Sequence, residues 1–294
     1  MARYSLKNSK LGISVDSLGA ELKSLKKLSN DTEYMWDANP EYWNRTSPLL
    51  FPFVGILHNG RYRHNGKEYT MPKHGFARNK EFELLGRTEE ELRFLLRADE
   101  ETRKCYPFEF ELEQSYRFDK EDENRLVVSW KVTNRGGSDM YFSIGGHPAF
   151  RCPIDGKGRR SDCKLAFDAG DMLISGIVGK NSMISERTKE LILRDGRLAI
   201  TEDMFDEDAL IIEHGQAHQV SLCDGSGQPY VTVSFDAPVF GVWSPVRRDA
   251  PFVCIEPWHG LCDREGFEGE LYEREYMHKL APNGEFHAGY SILV

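Results

Sequence analysis

The chain has no C-x-x-C pair and no histidines at zinc-finger spacing from its cysteines. Its six cysteines, Cys105, Cys152, Cys163, Cys223, Cys254 and Cys262, are scattered through 294 residues. Such thiols fit buried or incidental positions in a reducing cytoplasm, so cytoplasmic localisation is expected and a metal is not. Long apolar runs are missing too. The most apolar stretch, Leu49 to Leu57, contains Pro52 and Gly55 and is far shorter than the roughly 20 residues of a membrane span. The start, Met1 to Asn8, carries no apolar run and reads as mature protein rather than a signal peptide.

Excess positive charge is also lacking. The net charge is −9, so neither nucleic acid nor an anionic membrane, which each need a basic face, is an expected partner. There is no H-E-x-x-H, no P-loop, no G-x-G-x-x-G leading into a helix and no G-x-S-x-G elbow. Zinc catalysis, nucleotide binding and serine-triad hydrolysis therefore have no support. No Pro/Gly/Ser-rich linker divides the chain, which predicts one domain over residues 1–294, working as a monomer or homodimer.

What the sequence does have is a period of two. Leu126, Val128, Trp130 and Val132 alternate with more polar neighbours, as do Phe108, Phe110, Leu112, Gln114 and Tyr116. Each set predicts a strand with one apolar face, and the polar run Asp119–Asn124 between them predicts a hairpin. Asn65-Gly66 and Asp195-Gly196 are turn signals, because these residues tolerate positive φ. Asp224–Pro229 separates two further strands. Helical patterns are scarce: Gly269–Leu280 is the best candidate, and Arg97–Lys104 reads as a solvated loop or one helical turn. Strands at a spacing of roughly ten residues indicate an all-β antiparallel sandwich or barrel. Forty per cent hydrophobic residues suffice for its core.

Three polar residues stand in places suited to chemistry. Tyr141, Ser143, Gly145 and His147 share the more polar face of one strand, and Gly145 and Gly146 would let a ligand approach the backbone. The alternative is a histidine that caps the strand. Glu256 ends the apolar run Phe252–Ile255 and precedes Pro257-Trp258. It is either a surface residue or a carboxylate held against an apolar wall, where its pKa would rise toward that of a general base. His74, in Pro72–Arg78, reads as a loop histidine. Arg78 could bind a hydroxyl-rich or anionic ligand, or pair with Glu81 or Glu83.

These residues lie in segments that resemble the aldose 1-epimerase (galactose mutarotase-like) superfamily, most closely its LacX-like branch. Ser47–Gly55, Pro72–Arg78, Tyr106–Phe110, Gly145–Phe150, Phe205–Ile211, Cys254–Gly260 and Leu280–Glu285 match in order across nearly the whole chain. The resemblance implies a large antiparallel β-sandwich, the galactose mutarotase-like supersandwich with few short helices, carrying a sugar cleft on a concave sheet. It implies that His147 is the general acid, that Glu256 is the general base and that His74 holds the substrate. Asp208 would bind sugar, although the motif there is loose. One departure concerns the substrate: Gly55-Ile56-Leu57 replaces the arginine that galactose mutarotases carry, while Arg45 stands where the hexose-6-phosphate epimerases keep one.

The expected reaction interconverts the α and β anomers of a hexose. Glu256 takes the C1 hydroxyl proton and His147 protonates the ring oxygen, the open aldehyde rotates, and the ring recloses with the roles reversed. No cofactor is required. The two groups are expected to look into a common hollow, a hexose-width apart, on opposite sides of the hemiacetal. Trp258 or Trp243 could stack on the sugar or belong to the core. Arg45, Arg61, Lys73 and Arg78 are available to meet a phosphate, which keeps a hexose-6-phosphate epimerase open. A non-catalytic sugar sensor and an unrelated β-sandwich hydrolase are the remaining alternatives.

Overall fold

The computed structural model describes residues 1–179 and 182–294. Among them the one α-helix is Glu100–Cys105, started by a capping box in which Asp99 accepts from the Thr102 amide. Almost everything else is antiparallel strand or turn, as the alternating pattern predicts.

Two large sheets dominate. The first has nine strands and contains the predicted hairpin. Phe110–Phe118 pairs with Arg125–Asn134, placing Leu112 opposite Val132 and Tyr116 opposite Val128. The alternate residues point inward and are buried. Gln114 shares that face, and its amide nitrogen donates to the Ala20 carbonyl at 3.1 Å. Glu285–Leu293 pairs with the other side of Arg125–Asn134.

The second sheet has eight strands. Its centre is Phe252–His259, flanked by Val239–Trp243 on one side. On the other side lie two short strands in tandem, Ile144–Gly146 and Ala149–Arg151. Val253, Ile255, Phe240 and Val242 face the main core between the sheets. The opposite face carries two smaller apolar clusters, one holding Phe252 and Cys254 and the other Trp258. Glu256 lies between Cys254 and Trp258 on that face, because strand side chains alternate.

The turn chemistry appears where expected. Asn65 and Gly66 have φ of 52° and 73° in the hairpin between Arg61–His64 and Lys67–Thr70. Asp195 and Gly196 are likewise left-handed. The helix candidate Gly269–Leu280 is not a helix. It contains one 3-10 turn, Leu271–Glu273, and a strand, His278–Leu280, that pairs with Met140–Phe142. Hydrogen bonding to that partner strand outweighs a weak local preference. The six cysteines are all free thiols. No helix among the described residues is long and apolar enough to cross a membrane.

Candidate active site

The sheet register brings His147 and Glu256 together. Gly145 pairs with Trp258, and Ala149 pairs with Cys254. His147, midway between Gly145 and Ala149, falls opposite Glu256, midway between Cys254 and Trp258. The adjoining backbone holds this alignment: the His147 amide donates to the Pro48 carbonyl at 3.1 Å, and the Ile255 amide donates to the Pro148 carbonyl at 3.2 Å. His147 Nε2 consequently lies 3.2 Å from Glu256 Oε2. They share a hollow, but as direct neighbours rather than a hexose-width apart on opposite sides.

Both groups are withdrawn from water, with exposures of 7% and 1%. Burial pushes the Glu256 carboxyl well above the usual carboxylate range. The charge of Lys73 opposes this and that of Asp208 adds to it. The indole N–H of Trp258 is close enough to pull the carboxyl downward, yet it makes no aligned hydrogen bond. Burial, reinforced by the positive charges of Lys73 and Arg78, holds His147 well below the usual imidazole value. Both shifts favour the neutral forms. Neither Glu256 Oε2 nor His147 Nδ1 has a hydrogen-bond partner among the described residues.

His74 is buried rather than solvated, and it is oriented. It adopts φ of 66°, with Gly75 also left-handed at 69°. A Cβ on Gly75 would lie 2.2 Å from the Phe51 carbonyl oxygen, so this close approach requires glycine. The His74 amide donates to the Gly55 carbonyl at 2.7 Å, and the Gly55 amide donates back to His74 Nδ1 at 3.0 Å. With Nδ1 accepting, a neutral His74 carries its proton on Nε2, as a donor. Burial, then His147 and Lys73, keep its pKa well below normal.

His147, Glu256, His74, Arg78, Asp208 and Trp258 all line one pocket of about 160 Å³. Arg45 does not. Its Nη1 donates to the Arg78 carbonyl at 3.0 Å, and its other guanidinium nitrogen binds Asn79. These bonds tie Arg45, expected to meet the substrate, to the segment carrying Arg78. Arg78 Nη2 donates to the Lys73 carbonyl at 2.6 Å, while its Nε is buried without a partner. Glu81 is engaged elsewhere, by Ser17 and the N-terminus, and Glu83 by Arg97.

One residue of the pocket carried no sequence signal for its role. Trp43, from the loop before the Ser47–Gly55 segment, stacks on the His147 imidazole with centroids 4.7 Å apart and planes at 27°. Trp243 meets the same ring edge-on at 5.5 Å. The Trp36 indole N–H fixes the loop by donating to the Trp43 carbonyl at 2.9 Å. Nothing periodic marks Trp43, because it reaches the site from an irregular loop. Gly145 and Gly146 do not open the site to a ligand. A Cβ on Gly145 would fall 2.8 Å from Trp258 Cδ1, and one on Gly146 2.8 Å from the Tyr290 ring. Their role is to admit these aromatic rings.

A larger cleft of about 860 Å³ lies elsewhere, lined by residues such as Leu6, Ile13, Leu28 and Arg87. It has no histidine–carboxylate pair and carries no comparable chemistry.

Protein LacX (plasmid) of Lactococcus lactis is 28% identical over 298 residues, covering 98% of each chain. A provisionally named glucose-6-phosphate 1-epimerase of Escherichia coli is 26% identical, over 81% of this chain and 76% of that one. Among solved structures, a galactose mutarotase related enzyme from Lactobacillus acidophilus is 36% identical with a TM-score of 0.92. It matches 99% of this chain and 97% of its own. The Aldose 1-epimerase family model matches residues 2–277. The chain therefore belongs to the aldose 1-epimerase family, in its LacX-like branch.

Proposed function

We propose that this protein is an isomerase that interconverts the α and β anomers of an aldohexose. The observation that carries the proposal is the His147–Glu256 contact of 3.2 Å on the wall of a small pocket. The hydroxyl oxygen and the ring oxygen of a cyclic aldose are bonded to the same carbon, C1. An acid and a base that serve both oxygens must be neighbours, and these two are.

Glu256, as carboxylate, takes the C1 hydroxyl proton. His147, as imidazolium, gives a proton to the ring oxygen, and the C1–O5 bond opens. The aldehyde rotates about C1–C2. On reclosure His147 recovers the proton from O5, and Glu256 returns its proton to the carbonyl oxygen. The pair carries one proton at the start and one at the end, so no net proton enters or leaves. Burial raises the proton affinity of Glu256 and lowers that of His147, so Glu256 readily takes a proton and His147 readily gives one up. His74 donates from Nε2 to a sugar oxygen. Asp208 and Arg78 meet further hydroxyls, and Trp258 offers an apolar face. A pocket of about 160 Å³, below the roughly 300–1,000 Å³ of drug-sized sites, suits one monosaccharide.

A second reading, a sugar phosphate as substrate, is favoured by Lys73 and Arg78. Both line the pocket, and neither is ion-paired with a carboxylate among the described residues. The provisional name of the Escherichia coli relative supports the same reading.

The test is NMR of a freshly dissolved pure anomer, with and without protein, over a panel of aldoses and their 6-phosphates. Faster exchange is the expected result. Binding without acceleration for every sugar would leave a sensor instead.

A further inference from the structure

Cys254 stands next to the acid–base pair without belonging to it. It alternates with Glu256 on the same face of Phe252–His259, opposite Ala149 rather than opposite His147. Its thiol is free and fully buried. One ligand atom each from His147, Cys254 and Glu256 lies within 4.8 Å of the others. Nitrogen, thiol sulfur and carboxylate oxygen form the mixed donor set that Zn²⁺ and its neighbours accept.

We propose that His147, Cys254 and Glu256 form a binding site for a divalent transition metal of the Zn²⁺ class, and that its occupation inhibits the enzyme. A second observation points the same way. Glu256 Oε2 is buried, lacks a hydrogen-bond partner and lies 3.2 Å from the other donor, His147 Nε2. Buried polar atoms ordinarily find a partner, so this oxygen is prepared to receive one. Three protein ligands would leave one position of a tetrahedral site for water, as in open zinc sites.

Binding replaces protons. The thiol proton and the one proton that the His147–Glu256 pair carries pass to the buffer, and the metal takes up the lone pairs that they held. His147 can then no longer donate to a ring oxygen, nor Glu256 accept from a hydroxyl. The inhibition rests on the function proposed above, whereas the binding does not.

The experiment uses metal-free full-length protein titrated with Co²⁺, whose charge-transfer band reports thiolate ligation directly, and with Zn²⁺ for affinity and inhibition. The wild type and Cys262→Ala, which alters the cysteine that lines the pocket, are expected to give the band. Cys254→Ala is expected to lose it, to keep the anomerisation rate without metal, and to bind Zn²⁺ at least about 10-fold more weakly, the loss an outer partner alone can cause. Cys254→Ser, closer to the native volume, must reproduce the loss if Cys254→Ala folds poorly. A wild type with no thiolate band, or a band that survives both Cys254 substitutions, overturns the inference. A Cys254-dependent band in a protein that anomerises no sugar upholds the site and removes the proposed function. Anomerisation without the band removes the site alone.

Discussion

His147 and Glu256 face one another across neighbouring strands, with Nε2 and Oε2 3.2 Å apart, and burial drives each toward its neutral form. Burial therefore strengthens Glu256 as a base and His147 as an acid. Replacing Glu256 by Gln removes the base but keeps the shape. Anomerisation measured by NMR is expected to fall by about 10²-fold or more, with sugar binding retained. Near-full rates in this variant would contradict the assignment.

The same burial has a consequence for stability. The folded-state pKa of Glu256 is raised, so the fold favours the protonated carboxyl. That contribution is fully present below the unfolded carboxylate pKa and is lost as pH rises through the folded value. Glutamine does not ionise. Glu256→Gln is therefore expected to be more stable than the wild type at pH 8, by on the order of 1 kcal/mol, with the difference closing near pH 4. Urea unfolding at the two pH values measures it, and a gap independent of pH would count against the buried carboxylate.

Trp43 lies against the face of the His147 imidazole, where its π-system stabilises an imidazolium. Such contacts are worth up to about 2 kcal/mol when desolvated. Trp43→Ala is expected to lower kcat by about 10-fold or more, and Trp43→Phe to recover part of the loss. A change in KM alone would assign Trp43 to substrate binding instead.

Lys73 and Arg78 bear on the choice of substrate. If a phosphate is the natural group, Lys73→Met and Arg78→Met should each reduce kcat/KM for a hexose 6-phosphate by about 10- to 100-fold, as expected for lost hydrogen bonds to a charged group. The rate with the neutral hexose should change little for Lys73→Met, and less than the 6-phosphate rate for Arg78→Met, which also loses a hydroxyl contact. Equal losses on both sugars would show that these residues shape the pocket rather than read a phosphate.

Gly145 is a packing position. A methyl group there would sit 2.8 Å from Trp258 and 3.0 Å from the Pro257 carbonyl oxygen. Gly145→Ala is expected to cost about 1–3 kcal/mol, the usual range for overpacking, visible as a lower midpoint in thermal unfolding.

The alternating pattern made the strands legible, and Asn65-Gly66 and Asp224–Pro229 marked hairpins that formed. These are local signals, set by side-chain period and backbone freedom. The ordered motifs carried the family, and with it a short list of polar residues. Local rules could not identify Gly269–Leu280 as a 3-10 turn and a strand, because the partner Met140–Phe142 lies far away in sequence.

The sequence by itself determined an antiparallel β protein with His74, His147 and Glu256 in their motifs. Only the tertiary structure decided that His147 stands directly across from Glu256, that Trp43 covers its imidazole, and that Arg45 turns away to the Arg78 carbonyl. The reason is physical. Strand register between distant segments is fixed by hydrogen bonds and packing made only on folding, and a shift of one residue would send the carboxylate to the opposite face of the sheet.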